Sequence, residues 1–164
     1  MRRPALCLLA MLLVSVGCVP PAPQKTQLQI REFQTRSYDT KDTRMVMKAL
    51  LNVLQDDGFI VKNANVDLGL ITATKEVDVE NKGEAVVALL FAGENARYKK
   101  NSTIESSVNV SEFGSQTKVR VNFQPKMMNN KGEVKDVRQI DDAKYYQEFF
   151  GKVDKGIFIQ KEKL

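Results

Sequence analysis

The stretch "TKVRVNF", residues 117–123, alternates apolar and polar side chains without a break. Successive side chains of an extended chain point to opposite faces. Val119, Val121 and Phe123 therefore fall on one side, with Lys118, Arg120 and Asn122 on the other. This pattern belongs to a strand in an antiparallel sheet with one buried and one wet face. The run before it, "STIESSVNVSEF" (102–113), repeats the pattern and places Ile104, Ser106, Val108 and Val110 on a single side. Gly114 between the two runs suits a tight hairpin, and "NNKGE" (129–133) suits another before "VKDVRQI" (134–140).

Upstream, the period changes from two to that of a helix. In "YDTKDTRMVMKALLNVLQDDGF" (38–59), Val46, Ala49, Leu50, Val53 and Leu54 recur at helical spacing. Asp39 or Thr40 can cap the start, Asp42 favours the first turn, and Gly58 offers a left-handed stop. Phe59 to Val61 restarts as a strand, "NVDLGL" (65–70) reads as a turn, and "LITATKEV" (70–77) returns with Ile71 and Ala73 on one face. Before this helix, "LQIREFQTRSY" (28–38) is read as a strand with Leu28 and Ile30 on one face and a bulge where Phe33 falls out of phase. A second helix opens at Asp141 or Asp142, with Tyr146, Phe149, Phe150, Val153 and Ile157 along one side. Gly151 and Gly156 weaken it toward its end.

The predicted order is β-α-β-β-insert-β-β-β-α. Each helix has one apolar stripe, and the economical packing lays both stripes on one face of a single curved antiparallel sheet of about six strands. The fold class is α+β. A domain of this size buries roughly 70% of its unfolded surface, enough to fold without a disulfide.

The amino terminus says where the chain goes. Met1-Arg2-Arg3 precedes an apolar run from Ala5 to Val16, and "LLVSVGCVPPAP" (12–23) follows it into prolines. The run is shorter than the roughly 20 residues a membrane-spanning helix requires and fits the core of an export signal. Cys7 leaves with such a leader, so Cys18 is the single thiol of the mature chain and has no internal disulfide partner. With no His in the sequence, zinc is also poorly served. Residues 19–26, "VPPAPQKT", form a proline-stiffened tether of roughly 25 Å at about 3.1 Å per residue. The organisation expected is a signal peptide over 1–17, a modified cysteine and tether over 18–26, and one domain over 27–164.

Ser15-Val16-Gly17-Cys18 after a basic start and an apolar run resembles the lipobox of bacterial lipoproteins. The position three before the cysteine holds Ser15 where that family customarily has Leu. The resemblance implies a diacylglyceryl group on Cys18, cleavage just before it and acylation of the new amine. Val19 is not the aspartate that retains such proteins at the inner membrane. The implied address is therefore the periplasmic face of the outer membrane, with the outer face of the inner membrane as the alternative. The mature part is similar in element order to helix-grip domains, which occur in the lipoprotein component C of the outer-membrane barrel-assembly machine. Its segment "YDTKD…LLNVLQDDGF…GLITATKE" also resembles a set of small envelope lipoproteins of unassigned function. Likeness of fold carries no activity with it.

Little in the sequence points to catalysis. The absence of His removes the usual base for a serine or cysteine nucleophile. The doublets Asp56-Asp57 and Asp141-Asp142 flank helix ends, where capping or solvation accounts for them. There is no P-loop or dinucleotide fingerprint, and no cofactor is implied.

"GEAVVALLFAGENARYKK" (83–100) carries an eight-residue apolar run, Ala85 to Ala92. A helix packed on the sheet, a lid, a lipid-dipping surface and a partner-binding patch are the competing readings. Leu89, Leu90 and Phe91 are the candidate apolar contact residues, and Arg97, Lys99 and Lys100 beside them suit anionic lipid or glycan carboxylates. Without Arg2 and Arg3 the chain has 23 basic and 20 acidic residues, a modest excess mixed with acids that does not suggest nucleic acid. The function expected is that of a non-enzymatic envelope adaptor, with membrane lipid held through acylated Cys18 and another envelope protein as partners. The alternative is a carrier holding an apolar ligand between helix and sheet among Val46, Leu50, Val121, Phe123 and Phe149.

Overall fold

The computed structural model describes residues 25–77, 102–128 and 134–162. Cys18, Leu89, Leu90, Phe91 and the basic trio Arg97, Lys99 and Lys100 all lie outside these residues.

In chain order the elements are α1 (Gln27–Phe33), β1 (Thr35–Tyr38), α2 (Thr43–Asp56), β2 (Ile60–Asn65), β3 (Leu70–Val77), β4 (Ser102–Phe113), β5 (Gln116–Met128), β6 (Val134–Val137) and α3 (Ala143–Glu162). The fold is α+β, and the described residues form one open antiparallel sheet of six strands and three helices. The strand order is β1-β5-β4-β3-β2, and β6 also pairs with β5. Because β4 runs along the whole of one side of β5, β1 and β6 share its other side, one toward each end.

The alternation read from residues 102–123 holds in detail. Ile104, Ser106, Val108 and Val110 of β4 and Val119, Val121 and Phe123 of β5 are buried on the helix-covered face. Helix α2 buries Val46, Met47, Ala49, Leu50, Val53 and Leu54, and α3 buries Tyr146, Phe149, Phe150, Val153 and Ile157. Gly58 ends α2 at φ 82°, and Lys75 Nζ donates to the part-buried Asp57 carbonyl at 2.9 Å.

Two local expectations are corrected. Residues 27–33 form a helix, leaving only Thr35–Tyr38 as strand. A capping box decides this: Gln29 N donates to Thr26 Oγ1 at 3.3 Å, and Thr26 N donates to Gln29 Oε1 at 2.8 Å. Ile30 and Phe33 then share a helix face, while Leu28 is 76% exposed. The cap of α2 is Asp42, whose carboxylate accepts from Met45 N at 2.8 Å, rather than Asp39 or Thr40. The stripe read through Ile157 holds: α3 continues through Gly151 and Gly156 to Glu162. At Gly156 a Cβ would stand 3.5 Å from the Ala49 Cβ and 3.8 Å from a Val53 methyl, so the small residue lets α2 and α3 approach closely.

Burial also sets the alkaline limit of the fold. The phenols of Tyr38, Tyr145 and Tyr146 are all raised from the ordinary value of 10.0, chiefly by desolvation, with Asp154 adding to the effect at Tyr38 and Asp57 at Tyr145. A group whose folded-state pKa is raised contributes its full stability below its unfolded pKa, and that contribution is lost as pH rises above it. The melting temperature is therefore expected to fall as pH climbs past 10, with phenolate absorbance of these three tyrosines appearing only on unfolding. Their ionisation near pH 10 in a chain whose circular dichroism is unchanged would contradict this.

Candidate functional site

The alternation that fills the core also fixes the character of the opposite face. Lys118, Arg120, Asn122, Gln124 and Lys126 of β5 and Thr103, Glu105, Ser107, Asn109 and Ser111 of β4 all point away from the helices. Cross-strand register assembles them into rows. One row runs Thr35–Arg120–Asn109, and the next runs Ser37–Lys118–Ser111.

Helix α1 turns these rows into a concavity. It sits at the β1 edge, buries Ile30 and places Arg31 and Glu32 beside the sheet. The resulting open groove has a volume of about 600 Å³ and is lined by Arg31, Glu32, Thr35, Asn109, Ser111, Lys118 and Arg120. Its wall is anchored at both ends of α1, by the Thr26 capping box and by the Thr35 hydroxyl donating to the Arg31 carbonyl at 2.8 Å. Three cations face one carboxylate, and among the described residues none of the three is in an ion pair. Lys118 Nζ instead lies 5.6 Å from the Phe113 ring centroid. Farther along the face, Lys126 is held by Glu105 at 2.6 Å.

The helix-covered side is filled by the chain's own rings. Phe123 meets Phe59 at 5.7 Å between centroids, Tyr145 at 5.1 Å, Tyr146 at 5.6 Å and Phe149 at 5.1 Å. Val46, Leu50, Val121, Phe123 and Phe149, the residues expected to line a ligand space in a carrier, all belong to this packed cluster. The neighbours of Phe123 along its row are the small residues Ser106 and Ala73, which make room for the rings. The Ser106 hydroxyl is buried there without a hydrogen-bond partner among the described residues.

The carboxylate doublets have structural tasks. Asp57 ends α2 and pairs with Lys152, while Asp142 accepts from Lys144 N at 2.8 Å at the start of α3. The Asp141 carbonyl takes the Lys25 ammonium. Among the described residues, no three His, Cys, Asp or Glu side chains cluster in a way that would hold a metal ion, and no helix is long and apolar enough to cross a membrane.

Sequence reading had placed Lys118 and Arg120 on the wet face but did not connect them with Arg31. The reason is the misassigned α1: on a strand, Arg31 would not have formed a wall. The signal that identifies it is the Thr26-x-x-Gln29 spacing. No protein-family model matches the chain, and no curated protein matches its sequence.

Proposed function

We propose that this chain is a non-enzymatic lipoprotein of the bacterial cell envelope, an adaptor held to a membrane surface through acyl chains on Cys18. The observation that carries this reading is the Ser15-Val16-Gly17-Cys18 lipobox after a basic, apolar leader. The first helix is capped at Thr26, so the proline-rich segment lies between the cysteine and the folded unit. One acyl chain gives marginal membrane binding at about 0.8 kcal/mol per buried methylene, and two or more hold stably. Anchoring then raises the domain's effective concentration near membrane partners. With Val19 after the cysteine, the periplasmic face of the outer membrane is the address this reading favours.

The helix-covered face is occupied by its own core, so contact with a partner falls to the polar sheet face and the strand edges. Intact mass measurement on protein from its native host is expected to find residues 1–17 removed and acyl mass on Cys18. Purification in mild detergent is expected to retain a stoichiometric envelope protein. A free Cys18 thiol with the leader still attached would overturn the proposal.

A further inference from the structure

We infer that the groove between α1 and the open sheet face binds a phosphate oxyanion. Arg31 reaches it from α1, and Lys118 and Arg120 reach it from alternate positions of β5, so three positive charges converge from two elements. Lys118 and Arg120 project from the same face of one strand, and their mutual repulsion is relieved by no carboxylate within ion-pair distance among the described residues. Glu32 offsets one charge, leaving a surplus of two. A phosphate monoester carries about −1.5 to −2 near neutral pH and offers three acceptor oxygens, which fits that surplus. Guanidinium forks suit such oxygens, and the Ser111 hydroxyl and Asn109 amide in adjoining rows supply neutral donors.

The volume of about 600 Å³ lies within the range of small-ligand sites. Among the described residues no aromatic side chain lines the groove, so they offer no stacking platform of the kind typical for neutral sugars. Anchoring of α1 at both ends sets the position of Arg31 before a ligand arrives. The phosphate has two natural sources, a phospholipid whose headgroup is a phosphate monoester or a soluble phosphate monoester, and both present the same oxyanion. This inference goes beyond the adaptor reading and does not depend on acylation of Cys18.

The test uses the full mature protein in neutral dodecyl maltoside micelles, at constant ionic strength, observed by amide NMR. One arm adds glycerol phosphate, and the other dopes the micelles with phosphatidic acid. Saturable shifts at Asn109, Ser111, Lys118 and Arg120 are expected in at least one arm. Saturation with glycerol phosphate assigns a soluble ester, and saturation with phosphatidic acid alone assigns the headgroup. Arg31→Gln and Arg120→Gln should each weaken binding by about tenfold or more, the loss of one charge-assisted contact. Both side chains are exposed, so their melting curves should match the parent. Lys155→Gln, outside the groove, should leave binding unchanged. Absence of saturable shifts in both arms, or an affinity in both arginine variants equal to the parent's, overturns the inference. Neither result touches the mass and purification tests of the adaptor reading.

Discussion

Tyr146→Phe is expected to lower the unfolding free energy by about 2–4 kcal/mol, although it removes a single oxygen and keeps the ring. The hydroxyl uses its whole hydrogen-bonding capacity. It donates to the Ile140 carbonyl at 3.2 Å and accepts from Gln34 Nε2 at 3.0 Å and Phe123 N at 3.3 Å. Those partners stand where the outer side of β5 lacks a regular strand. On one flank Val121 N donates to the Gln34 carbonyl at 2.9 Å, and on the other Ile140 N donates to the Phe123 carbonyl at 3.0 Å. Between the segments that carry β1 and β6, the phenol stands in for a missing rung of the ladder. Phenylalanine would leave the Phe123 N–H and the Ile140 carbonyl buried without this partner, and each such group costs about 1–3 kcal/mol. Urea denaturation checks the value. A loss below about 0.5 kcal/mol, the level of an ordinary surface substitution, would show that the oxygen does not close the sheet.

Gly69→Ala is the second large effect, expected to cost about 3–5 kcal/mol. Gly69 closes the turn between β2 and β3 at φ 61°, where a side chain is strained by about 1–2 kcal/mol regardless of space. Space is absent as well. An added Cβ would lie 1.9 Å from the Val110 carbonyl oxygen and 3.0 Å from its carbon. Val110 N donates to the Gly69 carbonyl at 2.7 Å, one step beyond the Leu70–Asn109 pair, so relieving the clash means opening the β3–β4 ladder. Gly114 supplies the comparison. Its φ is 63° but its Cβ would meet nothing within 4 Å, so Gly114→Ala should cost only the conformational strain of about 1–2 kcal/mol. Equal losses at the two positions would show that the Val110 contact is not what excludes a side chain at Gly69.

What was legible in the sequence follows from the range of the forces involved. The faces of β4 and β5, the stripe of α2 and the turn at Gly69 depend on neighbours two to four residues away, so the residue pattern carries them. The start of the domain was misread because Ile30 and Phe33 suit a helix at three-residue spacing, while the β-prone residues around them favoured a strand. The Thr26–Gln29 capping box decided between the two. That Gly156 of α3 faces Ala49 and Val53 of α2 is a contact between residues distant in sequence and invisible to a local reading. The groove is hidden for the same reason. That Lys118 and Arg120 face solvent can be read from alternation, whereas the Thr35–Arg120 pairing that brings α1 alongside them is a long-range contact.

The phenol that joins the two halves of the outer strand also imposes a timetable. Gln34 lies at the front of the described fold, and Tyr146 lies on the helix that ends it. A polypeptide emerging amino end first, from a ribosome or a narrow channel, cannot close this rung until Tyr146 of α3 has cleared the exit. Closure between segments so distant in sequence is slow relative to local structure formation, so the rung seals after the β2–β3 and β4–β5 hairpins have formed.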